Sequence, residues 1–205
     1  MSKKKTLLLI SCILFFDQAS KIYIKTHFEL GEELRVFDWF RVFFIENEGM
    51  AWGAKLSDIS SHITDSVAKL FLTIFRVFAV CGIGYWLFQI VQKKASKILI
   101  FSVALVFSGA LGNIIDSVFY GVVFDSSSGQ LASLFPEKGY SGLFYGNVVD
   151  MLYFPLFKGY CPEWIPIIGG RYVSFFDPVF NIADMAISSG VGLLLVFNKK
   201  VFPNP

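Results

Sequence analysis

The sequence predicts an all-α membrane protein with four transmembrane helices and a small β-rich subdomain on the outer side of the membrane. The composition predicts the class, because 55% of the 205 residues are hydrophobic and only 17% are charged, whereas about 25% charged residues is usual in soluble domains. The mean hydropathy of +0.60 agrees. The apolar residues also cluster into four long stretches, which sets the number of helices. We therefore expect a single polytopic membrane domain over residues 1–205.

Each of the four stretches is about as long as the 20 residues that cross a bilayer. They cover residues 6–24, 67–91, 98–116 and 179–197, and the outer loops 25–66 and 117–178 separate them. Within the first loop, an aromatic and β-branched segment predicts two short strands bent near Asp38. Five prolines in the second loop argue against long helices there.

The orientation follows from three groups of lysines at the ends of the apolar stretches. They lie in residues 3–5, 93–97 and 199–200, which fall on one side of the membrane if there are four spans. Because cytoplasmic loops carry an excess of lysine and arginine, we expect both termini in the cytoplasm. Residues 3–5 and the apolar run after them also resemble a signal peptide, but no small-x-small cleavage site follows the run. We expect an uncleaved first span.

The composition also excludes several functions. The net charge of +2 gives no indication of nucleic-acid binding. Three cysteines are too few for a disulfide framework. The two histidines, His27 and His62, form no metal-ligand spacing with cysteine, so we expect no metal and no cofactor. We expect a monomer whose partners are its substrate and the membrane lipids.

Ionisable side chains inside a span are functional candidates, because each costs roughly 2.5–3.5 kcal/mol at the helix centre. Six lie in these stretches: Asp17, Lys21, Lys69, Arg76, Asp116 and Asp184. At 1.5 Å per residue, Lys21, Asn113 and Asp184 all lie about 20 Å from the cytoplasmic ends of their helices. These polar groups should therefore converge in the outer third of the membrane.

Some of these groups also have structural interpretations. Asp17 and Lys21 are four residues apart and could simply neutralise each other. Lys69 and Arg76 could extend to the membrane interface. Asp184 has no basic neighbour in its own span, so a functional role is the better explanation for it.

Four short motifs occur in order along the chain. They are DQASK at residues 17–21, NEGMAWG at 47–53, GALGNIID at 109–116 and FNIAD at 180–184. Together they resemble the motifs of lipoprotein signal peptidase, or signal peptidase II, a family of bacterial membrane aspartyl proteases. The resemblance covers essentially the whole chain. It implies a protein of the bacterial inner membrane whose active site faces the outer, periplasmic side.

The resemblance implies a catalytic pair of aspartates. The aspartate of the fourth motif is Asp184. The second belongs to a V-V-D segment, for which Asp150, Asp125 and Asp116 compete, and Asp116 already belongs to the third motif. We choose Asp150, because Asp125 leads into a serine-glycine run that is poorly suited to fixing a carboxylate.

The resemblance also implies a set of supporting and substrate-binding residues: Asp17, Lys21, Asn47, Gly49, Asn113, Asp116 and Asn181. Asn113 and Asn181 would orient the pair, and Asn47 and Gly49 would clamp the substrate from the outer side. The chain departs from the family at Ser117, where arginine is usual, and in an insert at about residues 121–146. Arg76 or Arg171 could supply the missing charge.

The implied reaction is the removal of the signal peptide from diacylglyceryl-modified prolipoproteins by cleavage before the lipidated cysteine. Two other functions are compatible with the residues. A small proton- or ion-coupled transporter would use the buried carboxylates as a relay, and would be expected to have internal repeats or discontinuous helices. A scaffold that binds lipidated proteins would need no paired aspartates.

Overall fold

The computed structural model describes residues 1–48, 64–155, 157–166, 169–175 and 178–201. Its long helices are α1 (Lys3–His27), α2 (Asp65–Gln92) and α3 (Lys97–Val123). Each of these three is long and apolar enough to cross a membrane. The side chain of Ser96 caps α3 by accepting a hydrogen bond from the backbone N–H of Leu99 at 3.1 Å. Only residues 93–96 connect α2 to α3, so the two helices are antiparallel neighbours.

Two helix ends differ from the ends of the apolar stretches. Helix α3 continues seven residues beyond Asp116, to Val123. The last long helix, α4 (Ile182–Val196), begins three residues later than the stretch, because residues 179–180 form a strand and Asn181 caps the helix. Its 15 residues are shorter than a span. A short helix, α5 (Asn198–Val201), follows after Phe197, so that helical structure covers nearly all of residues 182–201.

An antiparallel sheet lies at the end of the helices. In chain order the strands are β1 (Glu33–Phe37), β2 (Phe40–Asn47), β3 (Val148–Tyr153), β4 (Phe157–Tyr160), β5 (Tyr172–Phe175) and β6 (Val179–Phe180). The main sheet has the order β1-β2-β3-β6, and β4 and β5 form a separate hairpin. The expected pair of strands bent near Asp38 is confirmed, because β1 and β2 meet there.

Helix α3 is the central element, since it packs against α1, α2 and α4. Small residues permit this packing. A Cβ atom at Gly109 would overlap the carbonyl oxygen of Ala183, and one at Gly190 would lie 2.6 Å from the carbonyl oxygen of Ser102. The outward faces carry exposed apolar side chains such as Phe15 and Phe78. Exposed apolar faces of this kind suit contact with lipid.

The insert folds back over the C-terminal end of α3. The backbone N–H of Tyr140 donates to the carbonyl of Phe124, that of Phe144 donates to Val118, and that of Gly146 donates to Ser117, each at 2.9 Å. A Cβ at Gly146 would overlap the carbonyl oxygen of Asp116. This close approach brings β3 alongside the last turns of α3.

Candidate active site

Asp150 lies in the middle of β3, and its side chain is nearly fully buried. Two amide groups hold its carboxylate. Nδ2 of Asn47, at the end of β2, donates to Oδ2 at 3.2 Å. Nδ2 of Asn181 donates to Oδ1 at 2.6 Å. Because each carboxylate oxygen accepts a hydrogen bond, the side chain has one defined orientation, as acid–base chemistry requires.

Asp184 lies in the first turn of α4 and forms a capping box with Asn181. The backbone N–H of Asp184 donates to Asn181 Oδ1 at 2.9 Å, and the backbone N–H of Asn181 donates to Asp184 Oδ2 at 3.2 Å. Nδ2 of Asn113, on α3, donates to Asp184 Oδ1 at 2.8 Å. The donors and the N-terminal end of the helix both stabilise a negative charge on this side chain.

Asn181 joins the two carboxylates. Its amide nitrogen contacts Asp150, and its amide oxygen accepts from the backbone of Asp184. The same nitrogen lies 3.2 Å from Asn113 Oδ1. The buried side chain of Asn181 therefore positions both aspartates and also contacts the amide group of Asn113.

Lys21 lies beneath this pair and is completely buried. Its Nζ forms ion pairs with Asp17 at 2.9 Å and with Asp116 at 2.8 Å, and it donates to Asn113 Oδ1 at 2.9 Å. Asp17 also accepts from the backbone N–H of Ala183 at 2.9 Å. The cluster thus ties α1, α3 and α4 together. The expected convergence of polar groups from three helices is confirmed, and the Asp17–Lys21 pair forms as part of it.

Gln18 completes the cluster, although nothing beyond its place in a motif singled it out. Its Nε2 reaches the carboxylates of Asp17 at 3.1 Å and Asp116 at 2.9 Å, and the carbonyl of Gly112 at 3.2 Å. Its Oε1 accepts from the hydroxyl of Tyr120 at 3.2 Å. The capping box of Asn181 and Asp184 was also missed, although an asparagine three residues before an acidic residue indicates one.

Burial controls the charge of Asp150. It raises the pKa of this carboxyl from 3.8 to about 7, and the negative charge of Asp184 acts in the same direction. The hydrogen bonds from Asn47 and Asn181 and the charge of Lys21 oppose the rise. Asp150 therefore exchanges its proton near neutral pH.

Ser117 stands where arginine is usual in the family, and the surrounding residues show what replaces its charge. Ser117 is buried, and its hydroxyl donates to the carbonyl of Asn113 at 2.9 Å, so it adds no charge. Of the two candidates for a replacement, Arg76 interacts electrostatically with Asp184, whereas Arg171 is exposed near the β4–β5 hairpin. Lys69 does not simply extend to the interface, because its Nζ donates to Asn147 Oδ1.

The two competing aspartates have different surroundings. Asp150 contacts Asn181, whereas the carboxylate of Asp125 accepts a hydrogen bond from the backbone N–H of Ser133 at 2.6 Å within the insert. Gly49, with the rest of its motif after Glu48, lies outside the described residues.

The fold and the site define a class: a multi-pass membrane protein with two carboxylates held together at the end of its helix bundle that carries the sheet. Residues 9–199 match the family described as signal peptidase (SPase) II. The lipoprotein signal peptidase of Porphyromonas gingivalis is 46% identical over 190 residues, which cover 92% of this chain and 80% of that protein. The lipoprotein signal peptidase of Amoebophilus asiaticus is 32% identical over 193 residues, which cover 92% of this chain and 75% of that one.

A solved bacterial membrane enzyme, determined by the in meso method at 1.9 Å, has a similar fold. The TM-score is 0.60 and the identity 22%, and the alignment covers 97% of this chain and 94% of that one. The chain belongs to the signal peptidase II family. It is a multi-pass membrane protein, and family membership decides against the transporter.

Proposed function

We propose that the chain removes the signal peptide from lipid-modified prolipoproteins by aspartyl hydrolysis, with Asp150 and Asp184 as the catalytic residues. The observation that carries the proposal is the bridge through Asn181, which holds the buried carboxylate of Asp150 and the partly buried carboxylate of Asp184 in one site. By resemblance, the substrate carries a diacylglyceryl group on its cysteine, and cleavage occurs just before that residue.

In the proposed mechanism the pair of carboxylates carries a single proton. Asp150 holds the proton, because burial gives it a pKa of about 7. Asp184 is ionised, stabilised by Asn113, the capping box and Arg76. Asp184 takes a proton from water, and the resulting hydroxide attacks the scissile carbonyl while Asp150 donates its hydrogen bond to the carbonyl oxygen. The proton taken up then passes to the leaving nitrogen as the C–N bond breaks.

The supporting residues have separate roles in this proposal. Asn47 orients Asp150, and Asn113 and Asn181 orient Asp184. The ion pairs of Lys21 with Asp17 and Asp116 hold the three helices in register. By resemblance, Gly49 is a further substrate-binding residue.

We further propose that the chain forms four spans, with both termini in the cytoplasm of a bacterium. The fourth span would consist of α4, Phe197 and α5, since residues 182–201 approach the length of about 20 residues that a bilayer needs. The site at the start of α4 then lies at the outer membrane surface. A lipidated substrate could keep its acyl chains in the bilayer there while water reaches the scissile bond.

The test is the cleavage of a lipidated prolipoprotein by purified variants in detergent or lipid, followed by gel shift. Asp184→Asn and Asp150→Asn should each abolish turnover, and the double variant should be no worse, because the two groups act as one unit. Asp125→Asn is the matched control and should keep most of the activity. An inactive Asp125→Asn beside an active Asp150→Asn would overturn the choice of partner, and near-normal activity of Asp184→Asn would overturn the aspartyl mechanism.

A further inference from the structure

A second buried cluster lies one helical turn beyond Lys21 and has no role in the mechanism above. At its centre is Lys25 of α1, which is completely buried. Its Nζ forms an ion pair with Glu46 of β2. It also donates to the hydroxyl of Ser127 at 2.8 Å, and that hydroxyl donates to Glu46 Oε1 at 2.8 Å. The three groups form a closed ring of polar contacts.

Aromatic rings surround the ammonium group of Lys25. The ring centroids of Tyr140, Phe124 and Phe44 lie 4.8, 5.4 and 5.9 Å from its Nζ. Tyr140, Phe124 and Ser127 all belong to the insert. Rings at such distances attract a cation and exclude water from it. The insert therefore builds most of the chamber that keeps Lys25 dry.

The cluster reaches the catalytic strand through Glu46. Glu46 Oε2 accepts a hydrogen bond from Nδ2 of Asn147 at 2.9 Å, and the backbone N–H of Asn147 donates to the hydroxyl of Tyr140 at 2.7 Å. Asn147 immediately precedes β3. Burial opposes the ionisation of Glu46, but the charge of Lys25 and the hydrogen bonds from Asn147 and Ser127 hold its pKa below the ordinary value. Glu46 is therefore an anion that ties the ends of two strands together.

The two faces of the β2–β3 ladder connect this cluster to the site. Glu46 pairs with Val149, and the next residue pairs on either side are Asn47 with Val148 and Ile45 with Asp150. Because neighbouring residues of a strand point to opposite faces, Glu46 faces the cluster while Asn47 and Asp150 share the other face. The position of Glu46 thus determines where Asn47 stands, and Asn47 holds Oδ2 of Asp150.

We propose that Lys25 is a positioning residue for the cleavage reaction: its ion pair with Glu46 fixes the β2–β3 ladder so that Asn47 and Asp150 meet in the catalytic geometry. The insert contributes by enclosing Lys25. The inference rests on the proposed function for its effect on turnover. A buried ion pair adds little net stability compared with apolar side chains of the same volume, so a geometric role accounts better for its presence.

Four variants test the proposal. Lys25→Met and Glu46→Gln each break the ion pair, and the double variant removes both charges. Ser127→Ala removes two hydrogen bonds with almost no change in volume and is therefore the variant most certain to fold. The matched control is Glu33→Gln, which removes the surface ion pair with Arg41 on the same hairpin.

Two readouts separate positioning from stability. The first is kcat and KM for a lipidated prolipoprotein. The second is a pH titration followed by infrared spectroscopy. The signal is the carbonyl band of protonated Asp150, which is identified because it disappears in Asp150→Asn. The charged groups that face Asp150, namely Asp184 and Lys21, are the same in every variant. A shift of this titration therefore reports a change in the hydrogen bonds that the Asp150 carboxylate accepts.

We expect Lys25→Met and Glu46→Gln to lower kcat about tenfold or more with KM within about twofold, since small displacements of catalytic groups cost this much. The Asp150 titration should rise by about one pH unit, because the hydrogen bond from Asn47 favours the charged form. The double variant should be no worse than either single one. Ser127→Ala should show the same changes at a smaller size, and Glu33→Gln neither.

Three results would overturn the inference. The first is a loss of kcat that only follows the loss of folded protein, with the Asp150 titration unchanged. The second is a higher KM at unchanged kcat. The third is a Ser127→Ala variant equal to Glu33→Gln in both readouts. If the wild-type protein cleaves no prolipoprotein, the proposed function fails, and the infrared titration still tests the positioning role by itself.

Discussion

At the scale of single residues, the site contains carboxylates in two kinds of surroundings. Asp17 and Asp116 share the ammonium group of Lys21 and are tied into the bundle. Asp150 is held instead by the neutral amide groups of Asn47 and Asn181. Burial raises the pKa of the Asp150 carboxyl to about 7, so this side chain gains and loses its proton near neutral pH.

The first prediction at this scale concerns the proton on Asp150. Its pKa is raised from 3.8 to about 7 in the folded protein. Between these values the folded state keeps a proton that the unfolded state has released, so the contribution of Asp150 to stability is lost as the pH rises through this window. We expect Asp150→Asn to unfold at a higher temperature than the wild type at about pH 8, with a gap that narrows towards about pH 5.

The measurement is thermal unfolding in detergent at both pH values, with Asp125→Asn as the control. A gap of the same size at both pH values would contradict the assignment. In the wild type, the rate of cleavage should also fall as the pH rises above about 7, because the proposed acid is then deprotonated.

The sequence predicts some of these residues and not others for a physical reason. Asp184, Lys21 and Asn113 could be found because an ionisable group in an apolar helix is costly and helical rise gives its depth. Lys25 and Glu46 could not, since each lies at the end of an element where a charge is ordinary. Their burial depends on the insert, whose Ser127 lies 102 residues from Lys25 and 81 residues from Glu46 along the chain.

At the scale of elements, the approach of the insert to α3 depends on glycine. The backbone N–H of Gly146 donates to the carbonyl of Ser117 at 2.9 Å. A Cβ at this position would overlap the carbonyl oxygen of Asp116, which is backbone and cannot rotate away. The start of β3 would have to move away from α3, and Asp150 would move with it.

The prediction is that Gly146→Ala lowers both the unfolding temperature and kcat, the latter about tenfold or more. Gly142→Ala is the matched control in the same insert, because a Cβ there would lie at an ordinary 3.6 Å from Tyr145 Cδ2. Thermal unfolding and cleavage of a lipidated prolipoprotein are measured for both variants. Equal behaviour of the two would show that the contact between β3 and α3 is not needed for activity.

The elements themselves were predicted with different success. Helices α1, α2 and α3 follow from the length of their apolar stretches and are confirmed, as is the β1–β2 hairpin, whereas the 15 residues of α4 are shorter than the expected span. The start of α4 was placed three residues too early, because Val179 and Phe180 are apolar enough for a helix but pair with Tyr153 and Leu152 of β3. This pairing depends on a strand that is distant in the sequence, so the hydropathy of residues 179–180 alone does not predict it.

At the scale of the whole molecule, the arrangement requires the sheet and the start of α4 to lie on the same side of the membrane. The strand β6 leads directly into Asn181 and Asp184, so the site and the sheet cannot be separated. The lysines of residues 3–5, 93–97 and 199–200 lie at the opposite ends of the helices. From the positive-inside rule we expect these lysines in the cytoplasm and the sheet outside.

The last prediction tests this orientation with single-cysteine variants in intact cells. The three native cysteines, Cys12, Cys81 and Cys161, are first replaced. Leu34→Cys should react with a membrane-impermeant thiol reagent added from outside, because this side chain of β1 is 51% exposed. Lys199→Cys should react only after the membrane is opened, since α5 would lie on the cytoplasmic side. Labelling of Lys199→Cys in intact cells would overturn the orientation, because α5 would then lie outside. The sheet and the site, at the opposite end of the helices, would then face the cytoplasm.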